Sequence, residues 1–122
     1  MTRHQLRARD FLEHIEQAAT RVQQYLVGKD SSSFLADKMV QDAVIWNLGI
    51  LGEVSKNVLR VMPDAPARFP DIPFVALYSM RNRLNHGYFV IDLDIVWKVA
   101  TEEIAPLLKE LPAAIASLPP NP

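Results

Sequence analysis

The sequence predicts an all-α protein, an antiparallel bundle of four to five helices. Apolar residues recur at three- and four-residue spacing through several long segments, and no segment alternates with the two-residue period of a strand. Hydrophobic side chains make up 49% and charged side chains 22% of the 122 residues, which is an ordinary globular composition. A chain of this length has room for one hydrophobic core. We therefore expect residues 1–122 to form a single helical domain.

The first predicted helix covers residues 3–27 and ends at Gly28, which is a common residue just beyond a helix C-terminus. Polar residues lie mostly between the positions of its apolar face. That face is formed by Leu12, Ile15, Ala19, Val22 and Leu26.

The second predicted helix covers residues 34–62, between the candidate N-caps at 30–33 and Pro63. Its centre, residues 43–52, is apolar on nearly every face, which is typical of a helix that lies centrally in a bundle or is shared with a second subunit. Gly49 and Gly52 each cost about 1 kcal/mol relative to Ala inside a helix. Close approach of another helix would compensate for that cost. We expect Trp46 and Trp97 to lie in the core.

Four prolines within residues 63–73 predict a loop. A third helix then begins at Pro73 and ends near residues 85–87, and an extended link covers 88–91. Asp92 or Asp94 caps a fourth helix, which Pro106 kinks or divides into two pieces. We expect residues 113–122 to form a frayed tail.

Charge and composition exclude several classes of protein. The 13 basic and 14 acidic side chains give a net charge of −1, whereas a histone-like nucleic-acid binder carries a large basic excess. There is no Cys, which excludes disulfides and thiol catalysis and permits a reducing compartment. We find neither a signal peptide nor an apolar segment of membrane-spanning length, so we expect a cytoplasmic protein. His4 and His14 have no acidic residues arranged as ligands beside them, so we expect no metal and no cofactor.

Polar residues capable of chemistry cluster at the end of the third predicted helix. Between residues 77 and 91 the chain carries Arg81, Arg83 and His86 and no acidic residue. Arg81 and His86 are roughly 140° apart around a helix, but a long Arg side chain at a helix end can converge with His on one phosphate. Two neutral hydrogen-bonding residues lie beside them, Asn82 and Asn85.

Arginine and histidine together suit the cleavage of RNA without a metal. Imidazole can remove or supply a proton near neutral pH, and guanidinium binds phosphate oxygens through paired hydrogen bonds. Two proton transfers are needed but each chain offers one such His, so two chains around one cleft would complete the site. The alternative is that Asn85-His86-Gly87 is an ordinary helix terminus, where a cationic or polar side chain and a Gly are common.

Glu53 follows Gly52 in the apolar second helix. A carboxylate there is either exposed to solvent or paired with a neighbouring cation. Arg81 and Arg83 are the candidate partners.

Two segments resemble the HepT-like proteins of the HEPN superfamily. Residues 46–56 match the pattern N-L-x-x-x-G-E-x-x-K, which ends in Lys56, and residues 72–97 are similar to the signature block of that family. Within the block, Arg81 and His86 match the Arg-polar-x-x-x-His motif of the superfamily. Tyr88 matches the tyrosine that the HepT branch adds two positions later. The similarity extends over about residues 5–112.

The resemblance implies a helical bundle that dimerises to form a ribonuclease cleft, with Arg81 and His86 as catalytic residues. From their positions beside these two residues, we expect Asn82, Asn85, Arg83 and Glu53 to support the site. It implies a metal-independent endoribonuclease toxin, neutralised when an MntA-type nucleotidyltransferase transfers AMP to Tyr88. One alternative is a non-catalytic partner of such a nucleotidyltransferase. Another is a helical bundle that binds phosphate or a nucleotide.

Overall fold

The computed structural model describes the backbone of residues 3–86 and 91–120 and the side chains of residues 7–84 and 91–120. These residues form helices and no strand, so the predicted all-α class is confirmed. The helices are α1 (Arg3–Tyr25), α2 (Ser31–Leu35), α3 (Lys38–Val61), α4 (Ala65–Arg68), α5 (Phe74–His86), α6 (Leu93–Glu102) and α7 (Ile104–Ala116).

The long helices pack side by side around one hydrophobic core. α1 lies against α3 and α7, α3 also lies against α5, and α6 packs on α7. Leu12, Leu48 and Leu111, from α1, α3 and α7, are fully buried in this core. Among the described residues, no helix is both long and apolar enough to cross a membrane.

The predicted helix over residues 34–62 is divided near its start. Asp30 caps α2, because its side chain accepts a hydrogen bond from the Ser33 backbone N–H at 2.8 Å. Asp37 then caps α3 by accepting from Val40 N–H at 3.2 Å. The buried Gln41 side chain donates to the carbonyl of Phe34 at 2.9 Å, which satisfies an acceptor at the end of α2. These polar groups make the interruption favourable.

Two of the helix stops that the sequence predicts, at Gly28 and at Pro106, are present in the structure. Gly28 follows α1 with φ of 74°, a conformation that few other residues adopt without strain. Pro106 divides the last helix: α6 ends at Glu102 and α7 begins at Ile104. Glu102, the last residue of α6, lies four residues before the proline, and in a continuous helix its carbonyl would clash with the proline ring. The predicted loop over 63–73 contains the short helix α4.

The expected fraying of residues 113–122 is wrong for residues 113–118. α7 continues to Ala116, and Ala114, Ile115 and Leu118 are buried. The Leu118 carbonyl also accepts a hydrogen bond from Arg9 Nη1 at 3.0 Å, which attaches this segment to α1. Burial of apolar side chains and a hydrogen bond therefore hold the segment in place.

The expectation that Trp46 lies in the core is also wrong. Its side chain is 72% exposed, on the face of α3 opposite to the buried Leu48 and Leu51. Trp97, in contrast, packs against the ring of Phe34, with ring centroids 5.4 Å apart. The apolar side chains of α3 therefore lie on two faces of the helix, one buried in the core and one exposed at the surface.

Candidate active site

Helices α3 and α5 meet most closely at Gly52. A Cβ atom on this residue would overlap the Cβ of Arg81 and lie 2.7 Å from the carbonyl oxygen of Leu77. Gly52 therefore allows the close helix–helix approach that the sequence predicts. Gly49, three residues earlier, would place a Cβ in open space. Its role in a contact between helices of the same chain is not borne out.

The guanidinium of Arg81 forms an ion pair with Glu53. Arg81 Nη2 lies 2.9 Å from Glu53 Oε2, and the two side chains are 27% and 46% exposed. The Oε2 atom itself is buried and accepts no well-aligned hydrogen bond from the described residues, so the ion pair is what offsets its lost hydration. The sequence left two alternatives for the Glu53 carboxylate, exposure to solvent or pairing with a cation. In the structure it is paired, and its partner is Arg81.

A second contact orients the same guanidinium. Arg81 Nη1 donates to Asn82 Oδ1 at 3.2 Å. An Arg side chain carries five N–H donors, so contacts with Glu53 and Asn82 leave donors available for an anion. The two neighbours hold the guanidinium in one place without consuming its capacity to bind.

A groove of about 400 Å³ opens beside Arg81, between α3 and the C-terminal half of α5. Its polar wall carries Glu53 and Arg81. The remaining lining is apolar and consists of Ile45, Trp46, Gly49, Ile50 and Leu84. Cationic and apolar surfaces therefore meet at the open side of α3.

Arg83 lies on a different side of α5. It is exposed and lines a smaller cavity between α5 and α6, which it shares with Met80, Ile91 and Ile95. The structure thus brings together Glu53, Arg81 and Asn82 and leaves Arg83 outside that cluster.

The C-terminal part of the predicted site is only partly described. α5 ends at His86, as the sequence predicts for this helix. The side chains of Asn85 and His86, and the whole of Tyr88, lie outside the described residues. Their roles stay predictions.

One contact between α3 and α5, next to the Glu53–Arg81 pair, is not predicted from the sequence. Lys56 Nζ lies 6.0 Å from the ring centroid of Tyr78, a cation–π distance across the junction of α3 and α5. The available signal was the spacing: Lys56 comes one helical turn after Glu53, and Tyr78 comes one turn before Arg81. Within the described part of the chain, no group of three His, Asp or Glu side chains is arranged to hold a metal ion.

The structure thus belongs to the class of all-α domains that carry a candidate phosphate-binding site. The site consists of an oriented arginine followed by a histidine at the end of the same helix. Comparison with known proteins is more specific. Residues 15–114 match the model of the family described as "Ribonuclease HepT-like". The chain belongs to this family, which confirms the resemblance found in the sequence.

Named relatives cover most of the chain. It is 36% identical over 99 residues to a Thermococcus cleftensis protein named "Probable ribonuclease HepT", covering 81% of this chain and 87% of that protein. It is 34% identical over 101 residues to a Methanocaldococcus jannaschii protein whose name describes a candidate RNase, covering 83% and 90% of the two chains. No solved structure matches significantly.

Proposed function

We propose that this protein is a metal-independent endoribonuclease that acts as the toxin of a HepT/MntA-type toxin–antitoxin pair. The observation that carries the proposal is Arg81, held by Glu53 and Asn82 beside an open groove and followed five residues later by His86 at the end of α5. Membership of the ribonuclease HepT-like family supports RNA as the substrate.

The reaction is an internal transfer of the phosphoryl group. The 2′-hydroxyl loses a proton and attacks the adjacent phosphorus, the bond to the 5′-oxygen breaks, and that oxygen gains a proton. The products are a 2′,3′-cyclic phosphate and a 5′-hydroxyl. His86 performs proton transfer, and Arg81 stabilises the charge that develops on the non-bridging oxygens. Imidazole and guanidinium supply both requirements, so the proposed mechanism uses no metal ion.

The supporting residues act through binding and orientation. Glu53 and Asn82 fix the guanidinium of Arg81. Asn85 adds a neutral donor near the end of α5, and Arg83 attracts the RNA backbone toward that end.

We propose that the active form is a homodimer. The exposed face of α3 carries Trp46, which is 72% exposed, and Gly49, which has open space above its Cα. A second copy packed on this face would bury the apolar lining of the groove beside Arg81. It would also bring a second His86 into the cleft, so that one imidazole accepts a proton while the other donates one.

The proposed regulation acts at Tyr88, two residues beyond His86. An MntA-type nucleotidyltransferase with ATP would join AMP to the phenolic oxygen through a new phosphodiester, releasing pyrophosphate. The added group is bulky and carries negative charge into a region that attracts RNA through Arg81 and Arg83. Steric block and repulsion then inhibit RNA binding together.

The catalytic assignment is tested with purified variants. His86→Ala is expected to abolish cleavage of a structured RNA, and Arg81→Ala is expected to lower the rate by about 100-fold or more, since each removes a group that acts on the transition state. Arg7→Ala changes an exposed arginine on α1 and is the matched control. Full activity of folded His86→Ala would contradict the assignment.

Regulation is tested separately with Tyr88→Phe, which retains the ring and removes the acceptor oxygen. This variant is expected to cleave RNA and to stay active after incubation with the nucleotidyltransferase and ATP. Intact-mass measurement should show added AMP on the parent protein only. AMP on another residue, or equal inactivation of Tyr88→Phe, would contradict Tyr88 as the modified residue.

A further inference from the structure

Lys56 and Tyr78 extend the line of contacts that Glu53 and Arg81 begin. Along α3, Lys56 follows Glu53 by three residues, and along α5, Tyr78 precedes Arg81 by three. The two pairs, at 6.0 Å and 2.9 Å, are therefore successive contacts between antiparallel helices. Lys56 and Glu53 both lie on the solvent side of Gly52, the point where α3 touches α5. A surface strip thus runs along the α3–α5 junction from Arg81 past Lys56.

This strip is cationic in a chain whose net charge is −1. The strip carries three basic side chains, Arg81, Lys56 and Arg60, and one acidic side chain, Glu53; Arg83 faces α6 and does not belong to it. Lys56 and Arg60 are exposed, and neither forms an ion pair with the described residues. Glu53 is already engaged with Arg81. The positive charge of Lys56 and Arg60 is therefore available to an external anion.

The spacing of the strip fits a polyanion with regularly repeated charges. Along α3, Lys56 lies three residues, or about 4.5 Å, beyond Glu53, and Arg60 lies four residues, or about 6 Å, beyond Lys56, so cationic groups recur along the axis as phosphates do along one strand. Arg60 lies one further turn along α3 and continues the same direction. The ring of Tyr78 restricts the ammonium group of Lys56 to the junction and so reduces the freedom lost when it binds.

We propose that Lys56 binds the phosphate next to the scissile one, so that the RNA strand runs along the α3–α5 junction from the catalytic end toward Arg60. This inference rests on the proposed function and adds a direction and a substrate-positioning residue to it. Lys56 is a positioning residue, since it contacts a phosphate that does not react. A substrate with one phosphate therefore cannot use it.

A comparison of short substrates tests this directly. A dinucleoside monophosphate contains the scissile phosphate alone, and two trinucleotides extend it by one phosphate on the 5′ or the 3′ side. For the wild type, one of the two extensions is expected to raise kcat/KM by about three- to tenfold, as one charge-assisted contact would. Lys56→Ala should remove that gain while its cleavage of the dinucleotide stays within about twofold of wild type. Lys109→Ala, an exposed lysine on α7, is the matched control.

Binding provides the second readout. In a His86→Ala background, which prevents cleavage, Lys56→Ala should lower the slope of log Kd against log salt by about 0.7, the value for one lost contact with a single-stranded phosphate. If wild type gains from an extension and Lys56→Ala keeps the whole gain and the same slope, the inference is wrong and the proposed function stands. If the wild type neither cleaves nor binds RNA, both are wrong. Unchanged RNA binding with lost binding of the nucleotidyltransferase would assign Lys56 to the protein partner instead.

Discussion

At Gly52 the missing side chain determines where Arg81 can lie. Because any Cβ there would overlap Arg81 Cβ and approach the Leu77 carbonyl, α3 and α5 can be this close only with glycine. The same close approach places Glu53, the next residue, within 2.9 Å of the guanidinium. The Gly-Glu pair therefore couples helix packing to the orientation of a candidate catalytic side chain.

Two glycine variants of α3 distinguish the effect of helix–helix packing on stability from the effect of helix propensity. Gly52→Ala is expected to lower the free energy of unfolding by about 1–3 kcal/mol, because the helices must separate to accept the methyl group. Within one chain Gly49→Ala meets no neighbour, so in the monomer it is expected to leave the free energy of unfolding unchanged or raise it by up to about 1 kcal/mol through better helix propensity. Chemical denaturation measures both. Equal stability of the two variants would contradict the close approach at Gly52.

How far the site could be predicted differs from residue to residue. The charge cluster around Arg81 and its place near a helix end follow from local sequence. The partner of Glu53 cannot be predicted from local sequence, because Arg81 and Arg83 are almost equally near to it along the chain. Only the packing of α5 on α3 brings Arg81 to Glu53. The exposure of Trp46 is a similar case, since an all-round apolar helix does not reveal which face is left uncovered.

At the scale of elements, polar caps determine where the helices begin. Lys29 Nζ contacts Asp37 Oδ2 at 2.9 Å, and Asp37 also caps α3. The hydrogen bond from Lys29, and then that from the Val40 backbone, hold the pKa of Asp37 below its ordinary value. The sequence places caps at 30–33 correctly but not the second cap at Asp37, because the apolar period continues across the interruption.

The lowered pKa of Asp37 predicts how its contribution depends on pH. A carboxylate whose pKa falls on folding stabilises the protein above its unfolded pKa of about 3.9, and this contribution is lost as the pH falls through the lower folded value. Asp37→Ala should therefore lower Tm at pH 7, with a difference from wild type that shrinks as the pH falls through the lowered pKa of Asp37. Asp42→Ala, which removes only the exposed pair with Lys38, is the matched control and should change Tm little. A difference independent of pH would contradict the prediction.

At the scale of the whole molecule, the all-α class and the division at Pro106 follow from periodicity and proline chemistry. The packing of residues 113–118 cannot be predicted in the same way, because it depends on α1. Arg9 of that helix donates a hydrogen bond to the Leu118 carbonyl, about a hundred positions away in sequence. Assembly is likewise a property of surfaces that only the folded chain reveals. The exposed Trp46 beside the groove is the surface from which we infer a dimer.

The proposed dimer predicts a mass of about twice 13.8 kDa by light scattering at micromolar concentration. Trp46→Asp places a charge at the centre of the proposed interface and is expected to give a monomer with lower cleavage activity. Val27→Asp changes an exposed apolar residue in the turn after α1 and should remain dimeric. A wild-type monomer that cleaves RNA would contradict the shared cleft.

The chemistry of the cleaved ends tests the central claim most directly. Purified protein is incubated with a structured RNA in excess chelator, and the new termini are identified by mass spectrometry, with His86→Ala treated in parallel. Proton transfer by His86 with charge stabilisation by Arg81 predicts unimpaired cleavage that leaves a 2′,3′-cyclic phosphate and a 5′-hydroxyl, and no cleavage by the variant. Cleavage that the chelator abolishes, or products with 5′-phosphate ends, would contradict the account.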